Sequence, residues 1–354
     1  MFKHGPLDRF DSATWTDLKT NQPFFAQVNF GEAHRRTGWS QAHANANPQA
    51  DSEKVKIPPY YPDHPVTRRD WATYLDFVNV LDRKVGRFLE RLEEDGMADN
   101  TIVVFMTDHG RPMTRGKTLL YDSGIQIPLI MHWPKGIQPP VQYQAGQVYE
   151  ELVSGVDIAA TTLALAGIEK PAKMQGRVFL GAGVEPPRKY VYAAADRIGE
   201  FHHKIRCVRG KRYKYIRNYN ATPINEQASA YRKAMHPIHH LMNKLSREGR
   251  LTPAQQALVE PLPKEELYDL EADPFEIKNL AASSGHQDTL AEMRQALDSW
   301  LTEIDDQGLK PDSPELVKAF EEYGKKSGSQ RDAIAKATRE RVEREDEAYK
   351  ASLK

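Results

Sequence analysis

Asp108 and His109 stand next to each other, followed by Gly110. A carboxylate beside an imidazole can coordinate a divalent cation, and the same pair can equally be polar loop residues with no ligand. Position sharpens the question. The run from Thr101 to Met106 is almost wholly apolar and rich in β-branched types. It reads as a strand buried on both faces, of the kind found in the middle of a parallel sheet. Ligands bind at the carboxyl edge of open α/β sheets, which is where this pair would lie. The next loop carries Arg111, Arg115 and Lys117. Such a loop can hold an anionic group or can simply be solvated. A second apolar run, Pro23 to Phe30, reads as another buried strand and ends at His34 and Arg35.

Several elements must position these residues. Residues 8–21 are polar, with a short helix expected around Trp15–Lys19; Ile57 to Pro65 is too dense in proline for regular structure, so 37–66 reads as a long loop before the next helix. Thr67 can cap that helix, with Asp70 as a partial capping box. Trp71, Tyr74, Leu75, Val78, Leu81, Val85, Phe88, Leu89 and Leu92 form its apolar stripe, and Gly96 ends it. Strand, helix and strand in this order imply a right-handed parallel crossover. Ile127 to Trp133 reads as a third strand, and Ser154 to Ala166 as a helix stopped by Gly167. A boundary is expected near Pro186–Lys189. Beyond it, Tyr190–Ala195 reads as a strand, Ile205–Arg209 and Tyr213–Ile216 as a hairpin, and Glu265–Leu270 as an edge strand. A polar helical excursion is expected over 220–262, and an amphipathic helix over Leu290–Ile304. The expected fold is therefore α/β, with a small antiparallel sheet and a packed helix after the boundary. The expected division is 1–187, 188–308 and a charged tail, 309–354, that is helical or disordered.

Composition excludes several classes. Lys plus Arg equals Asp plus Glu at 49 each, so no global field points to nucleic acid. No apolar run reaches the roughly 18 residues that span a bilayer, and the opening Met1-Phe-Lys-His-Gly-Pro has no apolar export core. A single cysteine, Cys207, forbids an intrachain disulfide. It reads as a structural thiol. His43, His64, His236, His239 and His240 read as surface histidines.

The order and wording of the segments resemble the sulfatase family of the alkaline-phosphatase-like superfamily. The matching pieces are Pro23–Phe30 with Ala33-His34-Arg35, Tyr74 through Gly96, Asp99–Gly110, Gly116-Lys117-Thr with Leu120-Tyr-Asp-Ser-Gly124, and Ile127-Pro-Leu-Ile130. Val156-Asp-Ile158, Leu165-Ala-Gly-Ile168, Gln175-Gly-Arg-Val-Phe179 and Glu266-Leu-Tyr-Asp-Leu270 with Asp273–Leu280 continue the series. The proline-rich loop and Lys204–Asn218 resemble most closely the N-sulfoglucosamine (heparan) sulfatase-like branch. The resemblance implies a three-layer sandwich around a mainly parallel sheet, incomplete at its amino end. It implies hydrolysis of a sulfate ester or sulfamate on a sulfated carbohydrate, with one divalent metal ion. Asp108 and His109 are similar to two of the family's metal ligands, Lys117 to its sulfate-binding lysine, and His34 to the histidine that assists the leaving group. Arg197 and His203, between strands of the second domain, would contact the sugar. Calcium is the family's ion, while the nitrogen donor of His109 admits manganese or magnesium. The parent enzyme would be exported.

One departure is large. The family carries Cys/Ser-x-Pro-x-Arg, whose first residue becomes formylglycine, and an early acidic pair that completes the metal site. Neither occurs here, and Cys207 is followed by Arg209 and Lys211 where proline and arginine should stand. The chain is therefore expected to be an amino-truncated sulfatase that is inactive alone. The other readings are a phosphatase or phosphonate hydrolase of the same superfamily, or a non-catalytic remnant.

Overall fold

Proline explains where the longest early helix begins. Pro65 lacks the amide hydrogen that a first helical turn leaves unused, and α2 (Pro65–Glu94) starts on it. The start differs from the expected Thr67 cap: Nδ1 of His64 accepts from the Val66 amide at 3.1 Å, and Thr67 is buried. These features come from a computed structural model that describes residues 14–35, 39, 44–198 and 201–354. The readings of Met1–Pro6 and His43 lie outside the described residues, and those of 8–21 and of the loop over 37–66 do so in part. A short α1 (Thr16–Thr20) precedes α2 and packs Trp15 against Phe88 of that helix, ring centroids 5.2 Å apart.

The buried face of α2 lies in its first half, around Trp71, Ala72, Asp76 and Phe77. Val78 and Leu89, expected in the core stripe, are exposed. The proline-rich loop is well packed on that first half: Tyr60 and Tyr61 join Trp71, and Trp39 stacks on Phe77 at 4.7 Å.

Two expected strands differ in the structure. Residues 23–30 form no strand and are mostly exposed, so they provide no parallel partner. The apolar run at 101–106 does form β1 (Val103–Met106), but it pairs antiparallel with β2 (Leu129–His132), Val103 opposite His132. Its burial alternates along the strand, leaving Val104 and Met106 exposed. Hydrophobic content alone could not distinguish a strand covered on both faces from one covered on a single face. The sheet pairing described here is thus antiparallel rather than parallel. Between β1 and β2 lies the short α3 (Asp122–Ile125), and after β2 comes α4 (Gly155–Leu165) with a Ser154/Asp157 capping box.

The carboxyl-terminal half follows its expected plan. β3 (Val191–Ile198), β4 (Phe201–Arg209), β5 (Tyr213–Asn218) and β6 (Glu265–Asp269) form one antiparallel sheet in that order. β3 and β4 are longer than expected, so the residues from 196 to 198 and from 201 to 203 are strand rather than loop. α8 (Gln287–Glu303) packs Leu290, Met293 and Leu297 on Val208, Tyr215 and Leu267. Segment 220–262 is not a polar excursion. It folds into α5 (Ala230–Met235), α6 (Pro237–Arg247) and α7 (Pro253–Gln256), and it buries Ile238, Leu241, Met242 and Leu258. The charged tail is one helix, α9 (Pro314–Ser352), lying across α5 and α6 with Val342 buried. Among the described residues no helix is long and apolar enough to cross a membrane. The molecule is α/β, with the small antiparallel sheet and its packed helix placed as the sequence indicated.

Candidate functional site

Three glycines build the loop that carries Lys117. The Gly110 amide donates to Gly124 O at 2.8 Å, Arg111 N to Ser123 O at 2.8 Å, and Lys117 N to Arg111 O at 2.8 Å. These backbone contacts leave no room for side chains. A Cβ at Gly116 would fall 2.1 Å from Arg111 O, and one at Gly124 2.4 Å from Gly116 O. The loop is also clamped from outside. Arg115 donates to Phe275 O and Glu276 O at 2.7 and 2.6 Å, and Asp122 accepts from buried Lys214 at 2.9 Å. Burial opposes charging of Lys214, yet Glu276 and Asp122 outweigh it and hold its ammonium above the ordinary lysine value. The expected solvated alternative for this basic loop does not apply to Arg115, which is buried between Tyr60 and Tyr121.

Asp108 and His109 emerge just past β1. Asp108 is 88% exposed, and its Oδ1 lies 3.7 Å from Nε2 of His109. Nδ1 of His109 is 2.8 Å from Gly110 O. A carbonyl only accepts, so Nδ1 carries the proton and Nε2 keeps its lone pair for a ligand. One oxygen and one nitrogen donor fit part of a divalent-cation site. Among the described residues the sole group of three or more potential ligands lies elsewhere, at Glu248, Asp346 and Glu347. There Lys244, Arg250 and Lys350 already neutralise the carboxylates.

His34 and the segment that carries Lys117 both reach α5. The rings of His34 and Tyr231 are 6.3 Å apart, and those of Tyr231 and His236 are 5.8 Å apart. The Tyr231 hydroxyl donates to Arg35 O. On the other side of α5, Arg232 Nη2 donates to Thr118 Oγ1 at 2.9 Å. His236 is 4% exposed, and burial, with Arg35, Arg232 and Lys117 nearby, drives it well below the ordinary imidazole value. Arg35 itself is buried and paired with Asp70. Both expected catalytic residues adjoin a non-glycine residue in the left-handed region, Ala33 at φ 66° and Thr118 at φ 82°. Such conformations cost of the order of 1–3 kcal/mol and cluster at functional sites.

The two expected sugar contacts separate. His203 is buried on β4, and burial beside Arg232 lowers it to about 4, so it belongs to the α5 cluster. Arg197 instead pairs with Asp312 and lies 4.4 Å from the Phe320 ring. No hydrogen bond or ion pair links Asp108 or His109 to Lys117 among the described residues; the shared loop backbone joins them. His64, His236 and His239 are buried and His240 is half-buried, against the surface reading of all four. Their sequence surroundings are polar, and only packing of α5, α6 and α9 buries them. Tyr231, Arg232 and His236 carried no local motif. The one available signal was the Ser229 cap and Pro237, which mark the ends of a short helix. Cys207 is fully buried and burial raises its thiol to about 11, as suits a structural residue.

Comparison with known proteins identifies the family. The family description "Sulfatase" matches residues 8–168, and "N-sulphoglucosamine sulphohydrolase, C-terminal" matches 114–238. An ulvan-active sulfatase of Formosa agariphila is 36% identical over 87% of this chain and 56% of its own length. Human N-sulphoglucosamine sulphohydrolase is 28% identical over 81% of this chain and 62% of its own. The chain thus spans roughly half the length of these curated relatives. Among solved structures, a Bacteroides fragilis protein described as a sulfatase covers 77% of this chain and 53% of its own at 20% identity, with a TM-score of 0.54. A 2-O GAG sulfatase covers 75% of this chain and 53% of its own at 24% identity, with a TM-score of 0.50. These two likenesses show the fold.

Proposed function

The chain belongs to the sulfatase family, and on that premise we propose that the side-chain cluster around α5 binds the sulfate group of a sulfated carbohydrate for ester or sulfamate hydrolysis. The observation that carries this reading is the approach of His34 and of Thr118, the residue after Lys117, to two consecutive residues of α5, Tyr231 and Arg232. Lys117 has no ion-pair partner among the described residues, so its ammonium is available to an oxyanion. His34 would hand a proton to, or hold, the leaving group. Asp108 and His109 would hold a divalent cation, which when bound polarises the sulfate oxygens. The names of the relatives, one ulvan-active and one a sulphohydrolase of N-sulphoglucosamine, support a sulfated sugar as the substrate class.

No Cys/Ser-x-Pro-x-Arg motif lies within these residues, and Cys207 is buried in the small sheet. The 354 residues by themselves are therefore proposed to bind sulfate without turning over. Calorimetry with inorganic sulfate at constant ionic strength tests this. A charge-assisted hydrogen bond contributes about 1.5–3 kcal/mol, so Lys117→Ala should weaken sulfate binding roughly tenfold to a hundredfold. The chain should release no sulfate from N-sulfoglucosamine or an aryl sulfate. An unchanged affinity in Lys117→Ala, or no sulfate binding by the unaltered chain, would sink the reading.

A further inference from the structure

We propose that Arg232 is a further anion-binding residue of this cluster, supplying from α5 a second fixed positive charge for the oxyanion that Lys117 is proposed to bind. The inference rests on the sulfate-binding reading of the site and adds to it a residue from the carboxyl-terminal half of the chain.

Buried cations elsewhere in the molecule show what a structural role looks like. Arg35 pairs with Asp70, Arg206 with Asp196 and Asp306, and Lys214 with Asp122 and Glu276. Arg115 is held on the Glu276 carbonyl, with the charge of that residue acting on it. Arg232 is 5% exposed and has no carboxylate partner among the described residues. Its guanidinium donates only to Thr118 Oγ1 at 2.9 Å and to Ile224 O at 3.3 Å. A guanidinium offers five N–H donors, so most of the fork is unspent. Burying an uncompensated charge is costly, and a site meant only for packing would be better filled by an apolar side chain. A ligand anion removes that cost.

The surroundings point the same way. Thr118, which orients the guanidinium, directly follows Lys117. His236 feels the charges of both Lys117 and Arg232, and its buried Nδ1 has no hydrogen-bond partner among the described residues. His203 lies beside Arg232 on β4. The groups that surround the guanidinium are thus two hydroxyl-bearing tyrosines, Tyr61 and Tyr231, imidazoles that burial keeps neutral, and a threonine. This set, with no carboxylate among the described residues, suits a tetrahedral oxyanion such as sulfate. The planar fork can bind two oxygens at once, which a lysine point charge cannot.

The test titrates the full chain with inorganic sulfate, chloride holding ionic strength constant. Arg232→Met should weaken binding at least about tenfold, and Arg232→Lys, which keeps charge without the fork, should fall between the two. In sulfate-free buffer Arg232→Met should melt no lower than the unaltered chain, because it removes an unpaired buried charge. In the unaltered chain, sulfate should shift the Arg232 Nε–H resonance, a readout that needs no variant to fold. If Lys117→Ala loses sulfate while Arg232→Met keeps it, the proposal for Arg232 falls and the sulfate reading of the cluster stands. If the unaltered chain binds no sulfate, both fall. An Arg232 resonance that does not move with saturating sulfate also overturns the proposal.

Discussion

Thr118 is a β-branched residue at φ 82°, between the lysine proposed to meet the substrate and the buried helix that supports it. Glycine takes such a backbone without penalty, but Thr118→Gly also takes the Oγ1 acceptor from buried Arg232, which offsets the relief, so stability should change by no more than about 1 kcal/mol. A melting temperature little changed with weaker sulfate binding is the expected pair of results; unchanged affinity would show that this residue serves no site. The buried histidines give a second residue-scale expectation. Burial, with Arg232 nearby, lowers His203 to about 4, and burial, with His240 and Arg232 nearby, lowers His239 to about 3. Their folded values lie below the unfolded value of 6.5, so the unfolded chain binds the extra protons between those limits. Stability is therefore retained above about pH 6.5 and lost as pH falls toward 4. Each group contributes on the order of 3 kcal/mol to that loss. Denaturant titrations at pH 7.5 and 5 should show the drop, reduced in His203→Gln, provided that variant folds.

At the scale of the element, the loop from Gly110 to Gly124 decides whether Lys117 points usefully. Its turns are made by backbone-to-backbone packing, and a methyl group at Gly116 would collide with the Arg111 carbonyl at 2.1 Å. The collision is with backbone and not with a movable side-chain tip. Gly116→Ala should cost about 1–3 kcal/mol, the usual range for overpacking, and should weaken sulfate binding as well. Gly86 in α2 has nothing near its Cβ position, so Gly86→Ala serves as the control and should be neutral or slightly stabilising. Equal losses in the two variants would remove the reason for singling out the loop.

For the whole molecule, the charged tail is a packing element. α9 places Asp346, fully buried, against Lys244 at 3.2 Å, Arg250 at 2.9 Å and His64 at 3.4 Å. Thr338 Oγ1 donates to Ala234 O at 3.0 Å, which ties the same helix to the back of α5. Burial opposes charging of Asp346, but Arg250 and Lys244 overcome it and hold the carboxyl near 2. Its contribution is present above the ordinary carboxylate value and is lost as pH falls toward 2. Removing the carboxylate takes the one buried partner from cations that keep Glu248 and Glu347, so Asp346→Ala should cost about 1.5–3 kcal/mol and speed hydrogen exchange in α5. Unchanged exchange there would mean that the tail does not support the cluster.

Much of this protein could be read from local pattern. The α4 helix, the β4–β5 hairpin, the edge strand β6 and the α8 helix each follow from periodicity and from Ser, Gly and Pro at the right places, because those forces act over a few residues. His34, Asp108, His109 and Lys117 were legible as types beside apolar runs. The tertiary structure decided the rest. It left residues 23–30 unpaired, made β1 antiparallel, and showed that Arg197 is spent on Asp312. It also brought Tyr231 and Arg232 from a polar-looking segment to His34 and Thr118. Sequence pattern reports what a residue could bury, whereas a charge or an imidazole becomes part of a site only when distant segments exclude water from it together. That exclusion is a property of contacts far apart along the chain, and no local spacing encodes it.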